Sequence, residues 1–83
     1  MHKLKYIRFE SHLADSVFLF PTWENHADVA ARLGYTPVSA GFVSVTVNDK
    51  GVIQVSTYGR SESLNMESDP DDAQLITFML KTS

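Results

Sequence analysis

Apolar and polar residues alternate along positions 5–9, with Ile7 and Phe9 on one face and Tyr6 and Arg8 on the other, a pattern that predicts a half-buried strand. Residues 16–20, Ser-Val-Phe-Leu-Phe, are apolar on both faces and closed by Pro21, which predicts a second, more buried strand. The polar stretch 10–15 between them is short enough to close a hairpin. After Pro21 the period changes. Trp23, Ala27, Ala30 and Ala31 recur on one side, flanked by Val29 and Leu33, and predict an amphipathic helix over 23–33 with Thr22 as its cap and Trp23 packed inward. Gly34 suits the left-handed position that ends a helix, and Pro37 blocks its continuation.

The middle of the chain carries the sharpest pattern. Two β-branched runs flank Asn48-Asp49-Lys50-Gly51, which suits a type I turn followed by a left-handed glycine bulge. That turn places Val47 opposite Ile53, Val45 opposite Val55 and Val43 opposite Thr57, with Thr46–Gln54 and Ser44–Ser56 on the other face. A slip of one residue would set valines against polar partners, so turn chemistry and alternation select one register. The valine face is expected to be core. Residues 63–67 alternate again, with Leu64 and Met66 facing one way, and predict a third meander strand after a bend at Gly59. Asp69, Pro70, Asp71 and Asp72 then read as a helix start, predicting a helix over 70–80. The β-branched and aromatic run 75–80 leaves a strand there as the alternative. The expected fold is a single α+β domain, with a mainly antiparallel sheet of about five strands in the order β-β-α-β-β-β-α and one or two helices packed on one face.

Eighty-three residues without a cysteine form one domain that must rely on apolar packing, which favours an intracellular setting. The opening MHKLKYIRFE lacks the apolar core of a signal peptide, and no apolar run reaches bilayer-spanning length, so the expectation is a soluble cytoplasmic protein. The net charge of −3 is unevenly spread. Lys3, Lys5 and Arg8 open the chain, whereas Glu62, Glu67, Asp69, Asp71 and Asp72 crowd one late stretch. Three early cations are too few for a nucleic-acid footprint, while the acidic stretch leaves open an imitation of nucleic-acid charge. With 11% aromatic residues and no disulfide, self-association to a homodimer is expected, through a sheet edge or the polar face of the central hairpin.

Among candidate sites, Gly59-Arg60-Ser61-Glu62-Ser63 approaches the glycine-x-serine-x-glycine elbow of esterases, but its second glycine is Ser63 and a strand rather than a helix follows. Ser61 as a nucleophile is therefore disfavoured against a strand connection, and Arg60, Ser61 and Ser63 remain an anion-holding candidate. His2, His12 and His26 lack the spacing of a metal site, and His26 and Asp28 point different ways on a helix. No catalytic residue, metal or cofactor is assigned. Phe42 and Tyr58 are cross-strand neighbours opposite the valines, alongside Ser44, Thr46, Gln54 and Ser56, which suits contact with a partner unless another element covers them.

The successions Pro37-Val38-Ser39-Ala40-Gly41-Phe42-Val43, Tyr58-Gly59-Arg60-Ser61-Glu62-Ser63-Leu64 and Asp69-Pro70-Asp71-Asp72-Ala73-Gln74-Leu75-Ile76 resemble small phage or prophage accessory proteins. The resemblance covers the second half of the chain. It implies a host-directed role, such as countering a bacterial defence or modulating a host enzyme, and carries over no catalytic residue. The expected function is thus non-enzymatic binding to a host protein. The alternative is a module that holds an anion or nucleotide through Arg60, Ser61 and Ser63.

Overall fold

A computed structural model of the chain describes residues 2–10 and 16–82, apart from the side chains of His2 and Thr82. The expected connection over 10–15 falls, apart from Glu10, outside the described residues. The elements are strands β1 (His2–Phe9) and β2 (Ser16–Phe20), helix α1 (His26–Leu33), strands β3 (Pro37–Val47), β4 (Ile53–Tyr58), β5 (Arg60–Ser61) and β6 (Met66–Glu67), and helix α2 (Asp72–Thr82). The fold is α+β. A four-stranded antiparallel sheet has the order β2-β1-β3-β4, and β5 and β6 form a separate two-stranded sheet.

The central hairpin adopts the expected register at every position, from Val47–Ile53 through Phe42–Tyr58. Its turn is closed by Gly51 N–H donating to the Asn48 carbonyl (2.9 Å), with Gly51 at φ +79° and the Asn48 side chain accepting from Lys50 and Val52 N–H. Positive φ costs a glycine little, so Asn48 and Gly51 supply what this turn needs. The valine face is core only in part. Val43 is fully buried and Val45 and Val55 half-buried, whereas Val47 is exposed.

Four expectations are corrected. The first helix begins at His26 rather than Trp23, because Asn25 caps it through Oδ1, accepting from Ala27 and Asp28 N–H at 2.9 and 3.2 Å. Thr22 and Trp23 lie in a turn closed by Glu24 N–H on the Pro21 carbonyl, and Trp23 is 84% exposed instead of packed. The 63–67 stretch is not a third meander strand. Gly59 (φ +70°) turns the chain off the sheet edge, and a tight turn over 62–65 with Asn65 at φ +53° folds β6 back onto β5. The main sheet has four strands, and β5 and β6 add a separate antiparallel pair. The helices also do not share one face, since the sheet is covered on both.

On one face Ile7, Phe9, Phe20 and Ala40 bury with Val29 and Ala30 of α1, and Leu64 and Met66 from the β5–β6 unit pack beside them. On the other, Tyr6 and Val43 bury with Ile76, and Leu4, Val45, Val55 and Leu80 pack around them. Residues 75–80 are thus helical, because Ile76 and Leu80, one turn apart, reach the same apolar surface. Helix α1 ends as expected at Gly34 (φ +77°), whose N–H donates to the Ala30 carbonyl. Among the described residues no helix is long and apolar enough to cross a membrane.

Candidate binding face and its adjoining cavity

Register alone builds a row across the whole sheet. Phe20 of β2 lies opposite Lys5 of β1, Lys5 opposite Phe42 of β3, and Phe42 opposite Tyr58 of β4. Phe42 and Tyr58 stack at 5.7 Å with planes 21° apart, and the Lys5 ammonium stands 5.9 Å from the centre of the Phe42 ring. Phe18 stacks on Phe20 at 6.2 Å. His26, the first residue of α1, sets its ring edge-on between Phe20 (5.3 Å) and Phe42 (5.9 Å). Helix α1 covers the Phe9–Ala40 end of this face and stops at the row. Beyond the row the surface stays open, with Ser44 and Thr46 half-buried, Gln54 and Ser56 exposed, and Tyr58 41% exposed. The four residues expected to meet a partner, Phe42, Tyr58, Ser44 and Gln54, therefore share one accessible surface.

His26 is 3% exposed and its Nε2 lies 2.9 Å from the Gly41 carbonyl. A carbonyl only accepts, so Nε2 carries the proton and Nδ1 the lone pair in the neutral ring. Burial pushes its pKa below the ordinary histidine value, opposed by the bond to Gly41 and reinforced by the nearby Lys5 charge. The ring is neutral at pH 7.

A cavity of about 650 Å³ adjoins the row, lined by Lys5, Asn25, His26, Phe42, Arg60, Glu62 and Ser63. It brings together two of the three anion candidates. Arg60 and Ser63 line it, but Ser61 is fully buried and its hydroxyl accepts the Leu64 N–H at 3.2 Å, closing the 62–65 turn. Ser63 does something the sequence did not suggest: its Oγ accepts the Ala27 N–H at 3.1 Å, a second cap on α1 that ties the turn to the helix start. The Arg60 guanidinium bonds Asn65 Oδ1 and sits 3.8 Å from Glu62. Lys5 Nζ donates to the Glu24 carbonyl at 2.6 Å. The stretch 59–63 is therefore a strand connection whose serines hold a turn and cap a helix, with Arg60 left at a cavity wall.

The acidic stretch divides in a similar way. Asp72 is buried at the start of α2, where its Oδ2 accepts from the Tyr6 hydroxyl (2.7 Å) and the Ser39 hydroxyl (2.6 Å), and its Oδ1 lies 2.7 Å from Arg8 Nε. The Tyr6 hydroxyl in turn accepts the Asp69 N–H (3.1 Å). Burial raises the Tyr6 pKa above its ordinary value, and the bond to Asp72 raises it further. Asp69 caps the turn before α2, accepting from Asp71 N–H at 2.9 Å. Glu67 lies opposite Arg60 in the β5–β6 pair. With Asp72 internal and Asp69 engaged, the stretch does not present a continuous row of free acids.

Lys5, read from the sequence as part of a basic opening, and His26, weighed there only as a metal ligand or a partner of Asp28, both join the candidate site. Lys5 carried a signal, being a cation on the same strand face as Ile7 and Phe9, where a charge calls for a partner. His26 carried none, since its neighbours come from β2 and β3. His12 and the His2 side chain lie outside the described residues. The chain matches no family model, no curated protein and no solved structure.

Proposed function

We propose that the chain is a small non-enzymatic protein-binding domain that docks a partner on the open sheet face, with Phe42 and Tyr58 as the apolar anchor and Ser44, Thr46, Gln54 and Ser56 as hydrogen-bonding surround. The observation that carries this reading is the in-register row Phe20–Lys5–Phe42–Tyr58, which ends in an exposed stacked tyrosine beside an uncovered polar strip. Aromatic anchors with a polar surround are the usual composition of protein-binding surfaces, and tyrosine is among the residues whose truncation costs most there. The engagement of Ser61 in a turn counts against hydrolytic chemistry at that residue. Resemblance to phage accessory proteins makes a bacterial host protein in the cytoplasm the expected partner, with interference in a host defence as one form of the role.

Capture of tagged protein from bacterial lysate, followed by mass spectrometry, tests this. The paired substitution Tyr58→Ser and Gln54→Arg should abolish capture of the specific partner, while Arg60→Ala should retain it. Retention of every captured protein by the first variant would remove the face from consideration.

The second reading, an anion or nucleotide module, is favoured by one observation: Arg60 and Ser63 share a cavity with Lys5, within the ~300–1,000 Å³ range of small-ligand sites. A ligand-induced rise in melting temperature that Arg60→Ala and Lys5→Ala both remove would support it over the docking face.

A further inference from the structure

Among the described residues no strand pairs with the outer edge of β4. Its sequence, Ile-Gln-Val-Ser-Thr-Tyr, contains no charge, proline or glycine, whereas sheet edges in monomeric proteins are usually blunted by such residues or by a bulge. Beside it, between β4 and α2, lies a groove of about 360 Å³ lined by Val55, Ala73, Gln74, Thr77, Phe78 and Lys81. Phe78 is 70% exposed there.

We infer that a second copy of this chain occupies this edge, joining β4 to β4 about a two-fold axis through Val55 and making one continuous eight-stranded sheet. Three features fit a copy of the same chain. The first is hydrogen-bond parity. The hairpin ladder starts with Asn48 N–H on the Val52 carbonyl, so the backbone groups of residues 54, 56 and 58 face β3 and those of Ile53, Val55 and Thr57 face outward. Val55 can therefore pair with Val55 of the second copy, and Ile53 with its Thr57.

The second feature is side-chain parity, since this register keeps the two faces of the sheet continuous. Val55, Ile53 and Phe78 of both copies meet on the α2 side. Gln54 meets Ser56 on the other, with no charge against a like charge along the paired strands. The third is charge complementarity. The Thr57 hydroxyl donates to the Asp69 carbonyl, which sets the start of α2 at the Tyr58 end of β4 and its last turn toward the hairpin. The two-fold axis then lays the helices antiparallel, bringing Lys81 of each toward the exposed Asp71 at the start of the other. Strand β2 is a poorer choice, because Pro21 ends it after five residues.

Sedimentation of the purified chain across the micromolar range should give twice the 9.3 kDa monomer mass. Gln54→Lys with Ser56→Lys places lysines against lysines across the seam and should weaken the dimer by roughly tenfold or more. Mixing that variant with one bearing Glu at both positions should restore a heterodimer, which checks that each variant is folded. The chain has no cysteine, so Val55→Cys reports on register directly: paired Cα atoms would stand about 5.5 Å apart, within disulfide reach, and oxidation should cross-link it. Thr57→Cys, whose mate would lie four residues away along the seam, should not cross-link. A mass of 9.3 kDa throughout, or cross-linking at 57 equal to that at 55, overturns the inference.

Discussion

Removing the Asp72 carboxylate should cost a large share of the chain's stability and lower its melting temperature steeply. The side chain is 1% exposed and is the point where Tyr6 and Arg8 of β1, Ser39 of β3 and the start of α2 converge. Asp72→Ala removes the nearer of the two carboxylates beside Arg8, with Asp69 remaining at 4.0 Å, and takes the acceptor from the Tyr6 and Ser39 hydroxyls. Breaking one side of a buried ion pair costs about 3–5 kcal/mol. At ~0.05–0.15 kcal/mol per residue, a chain of 83 residues has about 4–12 kcal/mol in total. Each kcal/mol corresponds to roughly 4–8 °C for a domain of this size, so the melting temperature should fall by roughly 12 °C at the least.

The partners of Asp72 should couple. Tyr6→Phe alone removes a hydrogen bond to a charged group, costing about 1.5–3 kcal/mol, but in the Asp72→Ala background most of that is already lost. Urea unfolding of the two single variants and the double variant measures this coupling. A melting temperature for Asp72→Ala within a few degrees of the parent, or strict additivity with Tyr6→Phe, would refute the account of this network.

The His26 ring is held neutral, with a folded-state pKa below its unfolded value, so the unfolded chain binds the extra proton. Its contribution to stability is full above the unfolded value of about 6.5 and is lost as pH falls below it; urea midpoints at pH 7.5 and 5.5 should show a loss that His26→Leu reduces. Gly41→Ala should cost about 1–3 kcal/mol, because the new Cβ would stand 2.8 Å from both Ser68 Cβ and the Tyr58 carbonyl oxygen, and thermal melting should rank it well below the parent. Trp23→Ala should leave thermal stability within about 0.5 kcal/mol, since the indole lies almost wholly in solvent.

What the sequence determined by itself is local. Asn48 and Gly51 define a turn that few other residues would make, and strict alternation on either side leaves one register, so the Phe42–Tyr58 pair and the polar strip beside it were legible before any tertiary contact. Gly34 ended its helix for the same kind of reason, a backbone conformation that depends on one residue. Tertiary structure decided everything that required a choice between locally equivalent options. Thr22 and Asn25 are both competent caps, and the cap went to the residue whose helix start could also donate to Ser63 and seat His26 against Phe20 and Phe42. Leu64 and Met66 alternate like a strand, yet the buried cluster around Ile7 and Phe9 took them as a folded-back turn, because a positive φ at Gly59 had already led the chain off the sheet edge. Asp72 reads in sequence as an ordinary acid at a helix start; only the crossing of β1, β3 and α2 surrounds it with Tyr6, Arg8 and Ser39 and makes it internal. Long-range placement of this kind depends on which apolar faces meet, and that is a property of the assembled layers rather than of any segment's own pattern.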